Sequence, residues 1–296
     1  MKQDLFQGGA CLIPDKIIDI SEISFSLLEY FKNSNHLEAS MKLTKIIFCL
    51  MFALCIVAGP VLAAKHTVGV GAGFAPEYEG SDDYEGVPML MLTGKYDSGR
   101  SFSLLGTNFR VNVVASNKFQ FGPILNYRMG RDDVDNKVVD RMKDIDDATE
   151  AGAYILADFD NVLLGVDFLM DISDEHDGML VQGNVGYRWK ASDALVVTPN
   201  VFLTYADDDY TDTYFGVNDK NVGTSGLDLY EAESGLKDVG TRIVAHYTPW
   251  EQWGIMGILS YSALLEDEDA EDSPIVDEGD DSQTFFGLMA TYRWGN

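Results

Sequence analysis

The chain has 296 residues, 46% of them hydrophobic, with 21 Lys and Arg against 48 Asp and Glu and a formal net charge of −27. So acidic a chain keeps no basic patch large enough for nucleic acid or an anionic lipid surface, and its 16 Phe, 14 Tyr and 4 Trp argue against disorder. All three cysteines, Cys11, Cys49 and Cys55, fall within the first 55 residues, so they give the rest of the chain neither a disulfide framework nor a zinc site.

Residues 1–40 precede a second methionine, Met41, and read as a spurious or non-structural extension, although Ile17 to Phe31 is amphipathic. From Met41 a basic start (Lys42, Lys45) leads into an apolar run from Ile46 to Val57. Pro60 and the small residues Ala63 and Ala64 follow. That order describes a secretory signal peptide over 41–64, with an uncleaved transmembrane anchor as the alternative. Removing it leaves 16 basic and 42 acidic residues and no cysteine. A cysteine-free chain suits an oxidising compartment beyond the inner membrane.

Residues 65–296 alternate with period two. Val162, Leu164, Val166, Phe168 and Met170 share one face, opposite Asp167 and Asp171. The same holds for Met179 to Trp189 and for Phe286 to Trp294. Strands of about ten residues, apolar on one face and polar on the other, are the signature of a transmembrane β-barrel, whereas strands of soluble sandwiches are shorter. Strands are predicted at 66–74, 87–96, 101–105, 108–115, 119–130, 148–159, 162–171, 179–190, 195–206, 236–248, 252–264 and 282–294. Twelve is an even number, which puts both termini at the periplasmic end. The segment 101–105 is too short to span, and merging pieces there would give ten strands.

Apart from one tight connection at Gly106-Thr107, the links alternate short and long, as in outer-membrane barrels with short periplasmic turns and long external loops. The long links hold 33 of the 42 acidic residues that follow residue 64, so the acid is expected outside the bilayer. Aromatics recur near strand ends, among them Trp189, Trp250 and Trp253, as interfacial girdles require.

On the predicted lumen face stand Arg110, Arg128, Arg188, Arg242 and Arg293, with Asp158, Asp167, Asp171 and Asp238. A structural network filling a narrow barrel is one reading; an arginine-lined solute pore is the other. The clusters at Asp207, Asp208 and Asp209 and at Glu266, Asp267 and Asp269 offer oxygen ligands for Mg²⁺ or Ca²⁺, without EF-hand spacing. Their alternative is a solvated acidic loop. After residue 64 only His66, His176 and His246 remain, and no nucleophile elbow or His-Glu-x-x-His metal motif occurs. No catalytic residue and no cofactor are therefore expected.

Five loop motifs resemble those of the MipA/OmpV family of Gram-negative outer-membrane proteins. They are Ala75-Pro76-Glu77-Tyr78-Glu79-Gly80-Ser81-Asp82-Asp83-Tyr84, Gly130-Arg131-Asp132-Asp133, Asp207-Asp208-Asp209-Tyr210, Thr213-Tyr214-Phe215-Gly216-Val217 and Asp272-Ser273-Pro274-Ile275-Val276. The resemblance runs from about Val68 to Trp294. Two departures are the residues Gly295-Asn296 after the last aromatic and the 40 residues before Met41. The resemblance implies an outer-membrane barrel surrounded by lipid and lipopolysaccharide. It also implies a scaffold, like the MltA-interacting protein, that bridges a lytic transglycosylase and a penicillin-binding murein synthase. Adhesins or antigens are the other roles discussed for such proteins. On this view Trp189, Trp250 and Trp253, with Lys65-His66, would meet the periplasmic partner.

Overall fold

The computed structural model describes residues 64–265 and 273–295. The expected extension, the signal peptide up to residue 63, and the acids Glu266, Asp267 and Asp269 lie outside the described residues. The strands are β1 (Ala64–Pro76), β2 (Tyr84–Tyr96), β3 (Ser101–Leu105), β4 (Asn108–Asn112), β5 (Phe119–Arg128), β6 (Ala148–Phe159), β7 (Val162–Asp171), β8 (Met179–Tyr187), β9 (Trp189–Lys190), β10 (Leu195–Ala206), β11 (Gly235–Tyr247), β12 (Trp253–Leu264) and β13 (Ser282–Trp294). The predicted strand 179–190 is interrupted at Arg188, and both of its pieces, β8 and β9, pair with β10. They count as one stave, so the wall has twelve.

Every neighbour in the sheet is antiparallel and next in sequence. β13 pairs back onto β1 from His66↔Trp294 to Phe74↔Phe286, which closes the barrel and leaves no first or last strand. Closure satisfies backbone groups that lipid cannot. One stretch of edge survives, where β3 and β4 stop half-way up the wall. The last bond there runs from the Gly106 amide to the Leu90 carbonyl, 2.8 Å. Above it the side of β2 that faces β3 carries Pro88, which offers no N–H to a stray strand. Tight turns close the periplasmic end. Asp160, with φ 60°, makes the two-residue turn between β6 and β7, in the left-handed conformation such hairpins require.

Alternation sorts the side chains as predicted. Val70, Phe121, Ile155, Val166, Val185, Val201, Ile243, Leu259 and Leu288 are all exposed on the outer face, forming an apolar band around the wall. Below it the tilted rings of Trp253 and Tyr292 lie 4.8 Å apart, and Trp294 stacks on the His66 ring at 5.4 Å. The inner face between β12 and β2 is filled by Met89, Met91, Met289 and Ile258. Gly71 stands between Met89 and Met289 in register; a Cβ there would lie 2.0 Å from the Leu288 carbonyl oxygen.

The long links differ from solvated loops. They fold into a cap built on three short helices, α1 (Asp208–Phe215), α2 (Asp219–Ser225) and α3 (Pro274–Asp277), with a 3-10 turn at Val139–Arg141. Tyr210, Phe215, Val217 and Ile275 of the cap are wholly buried. Tyr210 and Phe215 pack with the wall residues Leu180, Ala206 and Leu264, so α1 sits inside the barrel mouth. Burying a side chain of that size contributes about 1.5–3 kcal/mol.

Candidate functional site

Beneath the cap an ion-pair bar crosses the bore. Its centre is Glu79, from the link after β1. Arg128 Nη1 on β5 donates to Glu79 Oε1 at 3.1 Å, and Lys237 Nζ on β11 donates to Glu79 Oε2 at 3.1 Å. β5 and β11 lie five staves apart in a ring of twelve, so the bar joins nearly opposite walls. The Tyr210 hydroxyl also donates to Glu79 Oε2, at 2.9 Å, and its ring lies 5.0 Å from the Arg128 guanidinium. A cation over a desolvated ring adds about 2 kcal/mol.

Lys237 reaches this position through a backbone irregularity. Thr204 is opposite Asp238, but Tyr205 is opposite Leu236, so Lys237 is the extra residue of a β-bulge. Strict alternation would point it at lipid; the bulge turns both Lys237 and Asp238 inward, where they pair at 2.6 Å.

Glu150 on β6 holds the other side of Arg128, accepting from Nε at 2.7 Å, and also accepts from Asn126 at 2.7 Å. His176 Nε2 lies 3.3 Å from the same carboxylate. His176 Nδ1 accepts from the Gly178 amide at 3.1 Å, which leaves its proton on Nε2, towards Glu150. The loop carrying His176 wraps around Asp171, whose carboxylate accepts from the amides of Ser173, Glu175, His176 and Asp177. Burial alone pushes the Glu79 carboxyl up, but the Lys237 and Arg128 charges outweigh it and hold it below the usual range. In the cap, burial pushes the Tyr78 hydroxyl up to about 12 and the Arg131 guanidinium down to about 10. Arg131 Nη1 donates to the Tyr214 carbonyl at 3.0 Å.

The predicted lumen residues divide by depth. Arg128 belongs to the bar. Arg110 forms a two-point pair with Asp167, 2.8 and 3.1 Å, in mid-lumen. Arg188 Nη1 meets Asp158 at 2.8 Å near the periplasmic rim. Arg242 lies over the Phe202 ring at 5.1 Å, and Arg293 Nη2 donates to the Glu251 backbone carbonyl at 2.9 Å. Trp189, Trp250 and Trp253 are exposed at the periplasmic end. Trp189 and Trp253 stand on the outer face, opposite Val197 and Tyr292 in register, while Trp250 is in a turn.

Asp207, Asp208 and Asp209 can bring their oxygens within 4.8 Å of one another, as can Glu77, Asp83 and Asp135. Asp207 already has structural work as the N-cap of α1, accepting from the amides of Tyr210 at 3.2 Å and Met179 at 2.8 Å. The site residues that the sequence reading does not assign to the lumen are Glu79, Glu150, Lys237, Tyr210 and His176. Glu79 and Tyr210 do belong to the loop motifs. So do Arg131, Tyr214, Phe215, Ser273 and Ile275, which means the motifs that carried the family resemblance are largely the buried interior of the cap. The groups of this arrangement hold one another in place.

Comparison with known proteins bears on this arrangement. Escherichia coli K12 Putative outer membrane protein YiaT is 26% identical over 110 residues, 37% of this chain and 43% of the relative; a matching protein of E. coli O157:H7 gives the same figures. The chain thus spans less than half the length of these curated relatives. Among solved structures, the NanC porin aligns at 11% identity and TM-score 0.42, over 77% of this chain and all of the porin. An outer membrane channel from Pseudomonas putida F1 aligns at 8% and 0.41, over 80% and 97%. The protein is an outer-membrane barrel, and residues 68–294, every strand from β2 to β13 and most of β1, match one family, so the chain belongs to the family of MltA-interacting protein MipA.

Proposed function

We propose that this barrel is a non-enzymatic scaffold serving cell-envelope, that is peptidoglycan, assembly. Its partners would be a lytic transglycosylase, as the family description suggests, and a penicillin-binding murein synthase. The observation that carries the reading is the contrast between the ends of the bore. The outer mouth is filled by a packed cap tied across by Glu79, while the periplasmic end has only short turns ringed by exposed Trp189, Trp250 and Trp253. A stable interface buries at least ~1,000 Å², so a partner would engage several turns at once, with the tryptophans as anchors. Recovery of a murein enzyme from detergent-solubilised envelopes by wild type, with loss in Trp250→Ala/Trp253→Ala, is the expected result. If wild type recovers none, the scaffold reading fails.

A narrow solute pore is the second reading, favoured by the polar inner wall. Planar-bilayer recordings decide it: absence of unitary steps from wild type removes the pore. Outside, the acidic rim would lie among lipopolysaccharide phosphates. Weak Mg²⁺ or Ca²⁺ sharing at Asp207 to Asp209 and at Glu266, Asp267 and Asp269 is proposed as a rim stabiliser.

A further inference from the structure

The periplasmic end of the inner wall carries an arrangement that folding alone disfavours. Lys65 on β1 and Lys95 on β2 are directly opposite in register, and both are exposed. His66 stacks against the outward Trp294, so alternation places Lys65 and Lys95 on the lumen face. Like charges directly opposite one another destabilise a strand pair. Arg293 on β13 lies opposite Thr67, two residues from Lys65 on the same face.

Deeper in, Arg242 is exposed on the lumen face of β11. It lies five residues above Tyr247, where that strand ends, about 16 Å at ~3.3 Å per residue. Among the described residues none of Lys65, Lys95, Arg242 and Arg293 has a salt-bridge partner, although Arg110, Arg128, Arg188 and Lys237 all do.

Below the cap the lumen thus carries exposed cations that lack a salt-bridge partner at two depths, although Arg242 also feels the Asp167 and Asp238 carboxylates. One small anion cannot reach both depths. An extended chain with several carboxylates can. Thr67, Thr93 and Ser101, all half-buried, offer hydroxyls nearer the rim. The scaffold reading puts a protein partner on this side of the barrel, which makes an acidic peptide segment the occupant argued for.

We propose that the periplasmic half of the lumen is a blind basic vestibule that receives an extended acidic peptide segment of a periplasmic partner protein. The proposal rests on the scaffold reading and supplies the contact area that the short turns lack.

A labelled peptide of eight glutamates is titrated by fluorescence anisotropy against the purified full-length protein in uncharged detergent. The probe contains no murein enzyme, so its failure is distinct from failure of the pull-down. Saturable binding that an eight-glutamine peptide does not show, and that falls as salt rises, is expected. Lys65→Gln/Lys95→Gln should weaken it about fivefold to tenfold, and Arg242→Gln about threefold, as loss of partly exposed charge pairs implies. Lys137→Gln/Lys143→Gln, the same charge change in the cap, should leave it unaltered. Heat-modifiable migration checks that each variant folds. Absence of binding, or equal weakening by the cap variant, overturns the vestibule. Tighter binding of an oligogalacturonate of equal charge overturns the peptide assignment in favour of an acidic glycan.

Discussion

Cations at the two ends of the bore live under opposite conditions. Under the cap, Arg128 touches Glu79 and Glu150, and Lys237 touches Glu79 and Asp238. At the periplasmic end Lys65 faces Lys95, and neither has a carboxylate partner among the described residues. Acid is abundant in the chain as a whole, so this difference is one of placement: the long outer links hold 33 acidic residues and five basic ones. Charge that is neutralised and buried fixes structure, whereas charge left open to solvent remains available to a ligand. The cap is therefore read as architecture, and the vestibule as a surface that can still bind.

The comparison breaks most decisively at Arg128. Arg128→Met leaves Glu150, which is wholly buried, without its guanidinium. Stranding one partner of a buried pair costs about 3–5 kcal/mol. The cap should loosen while the wall, held by its closed ladder, stays intact. Trypsin should then cut at Lys137, Arg141, Lys143 or Lys220 in the variant and spare them in wild type. Heat-modifiable migration should survive in both. Loss of that migration at the same time would mean that cap and barrel fold as one unit.

Glu79→Gln probes the middle of the bar with a smaller effect, about 2 kcal/mol, since Arg128 keeps Glu150 and Lys237 keeps Asp238. Its carboxyl is held below the ordinary value of 4.5. A depressed carboxylate contributes stability that is fully present above the unfolded value and is lost as pH falls through the folded one. Cap protection in wild type should thus persist at neutral pH and decline only below about 4.5. Glu79→Gln should be less protected at neutral pH, and its curve should lose that component of the acid limb. A variant curve parallel to wild type throughout would show that another group titrates.

How far this arrangement is legible in the sequence depends on what each part is made of. The wall is legible because period two repeats over ten or more residues on strand after strand. Even the short pair at 101–105 and 108–112 announces itself through the Gly106-Thr107 turn. The differences are shifted ends, as where β2 starts at Tyr84 instead of residue 87, and the break at Arg188 within 179–190. The cap is not legible in the same way. α1 has eight residues, too few to display a period, and its buried Tyr210, Tyr214 and Phe215 stand among aspartates that read as a solvated loop. Lys237 is hidden for another reason. A bulge removes one step of alternation, and no residue type in Gly235 to Val239 marks where it occurs. Parity alone puts Arg110, Arg128 and Arg242 on the inner face, but parity cannot say that the first two meet carboxylates and the third the Phe202 ring.

A smaller effect is expected at the vestibule in the absence of ligand. Removing the opposed charges with Lys65→Gln/Lys95→Gln should stabilise the fold slightly, by about 0.5 kcal/mol, and the gain should shrink as salt is added. Destabilisation instead would mean that the lysines meet a partner in the folded chain, which the vestibule reading does not allow.

The smallest effect is expected from divalent cations at the rim. Asp207 spends its Oδ1 on the Met179 and Tyr210 amides, so a cation at this cluster would draw chiefly on Asp208 and Asp209, both exposed. Two open carboxylates make a poor cage for a hard ion that takes six to eight oxygens, so affinity should be no better than millimolar. At a free concentration equal to such a dissociation constant, binding stabilises by about 0.4 kcal/mol. That corresponds to roughly 1 °C for a domain of this size. Calcium titration of the thermal midpoint in detergent at fixed ionic strength should give a shift of that order, removed by Asp208→Asn/Asp209→Asn. A midpoint that does not move would leave Asp207 as a helix cap and its neighbours as solvated charge. A shift of many degrees would require a site with more ligands than this cluster offers.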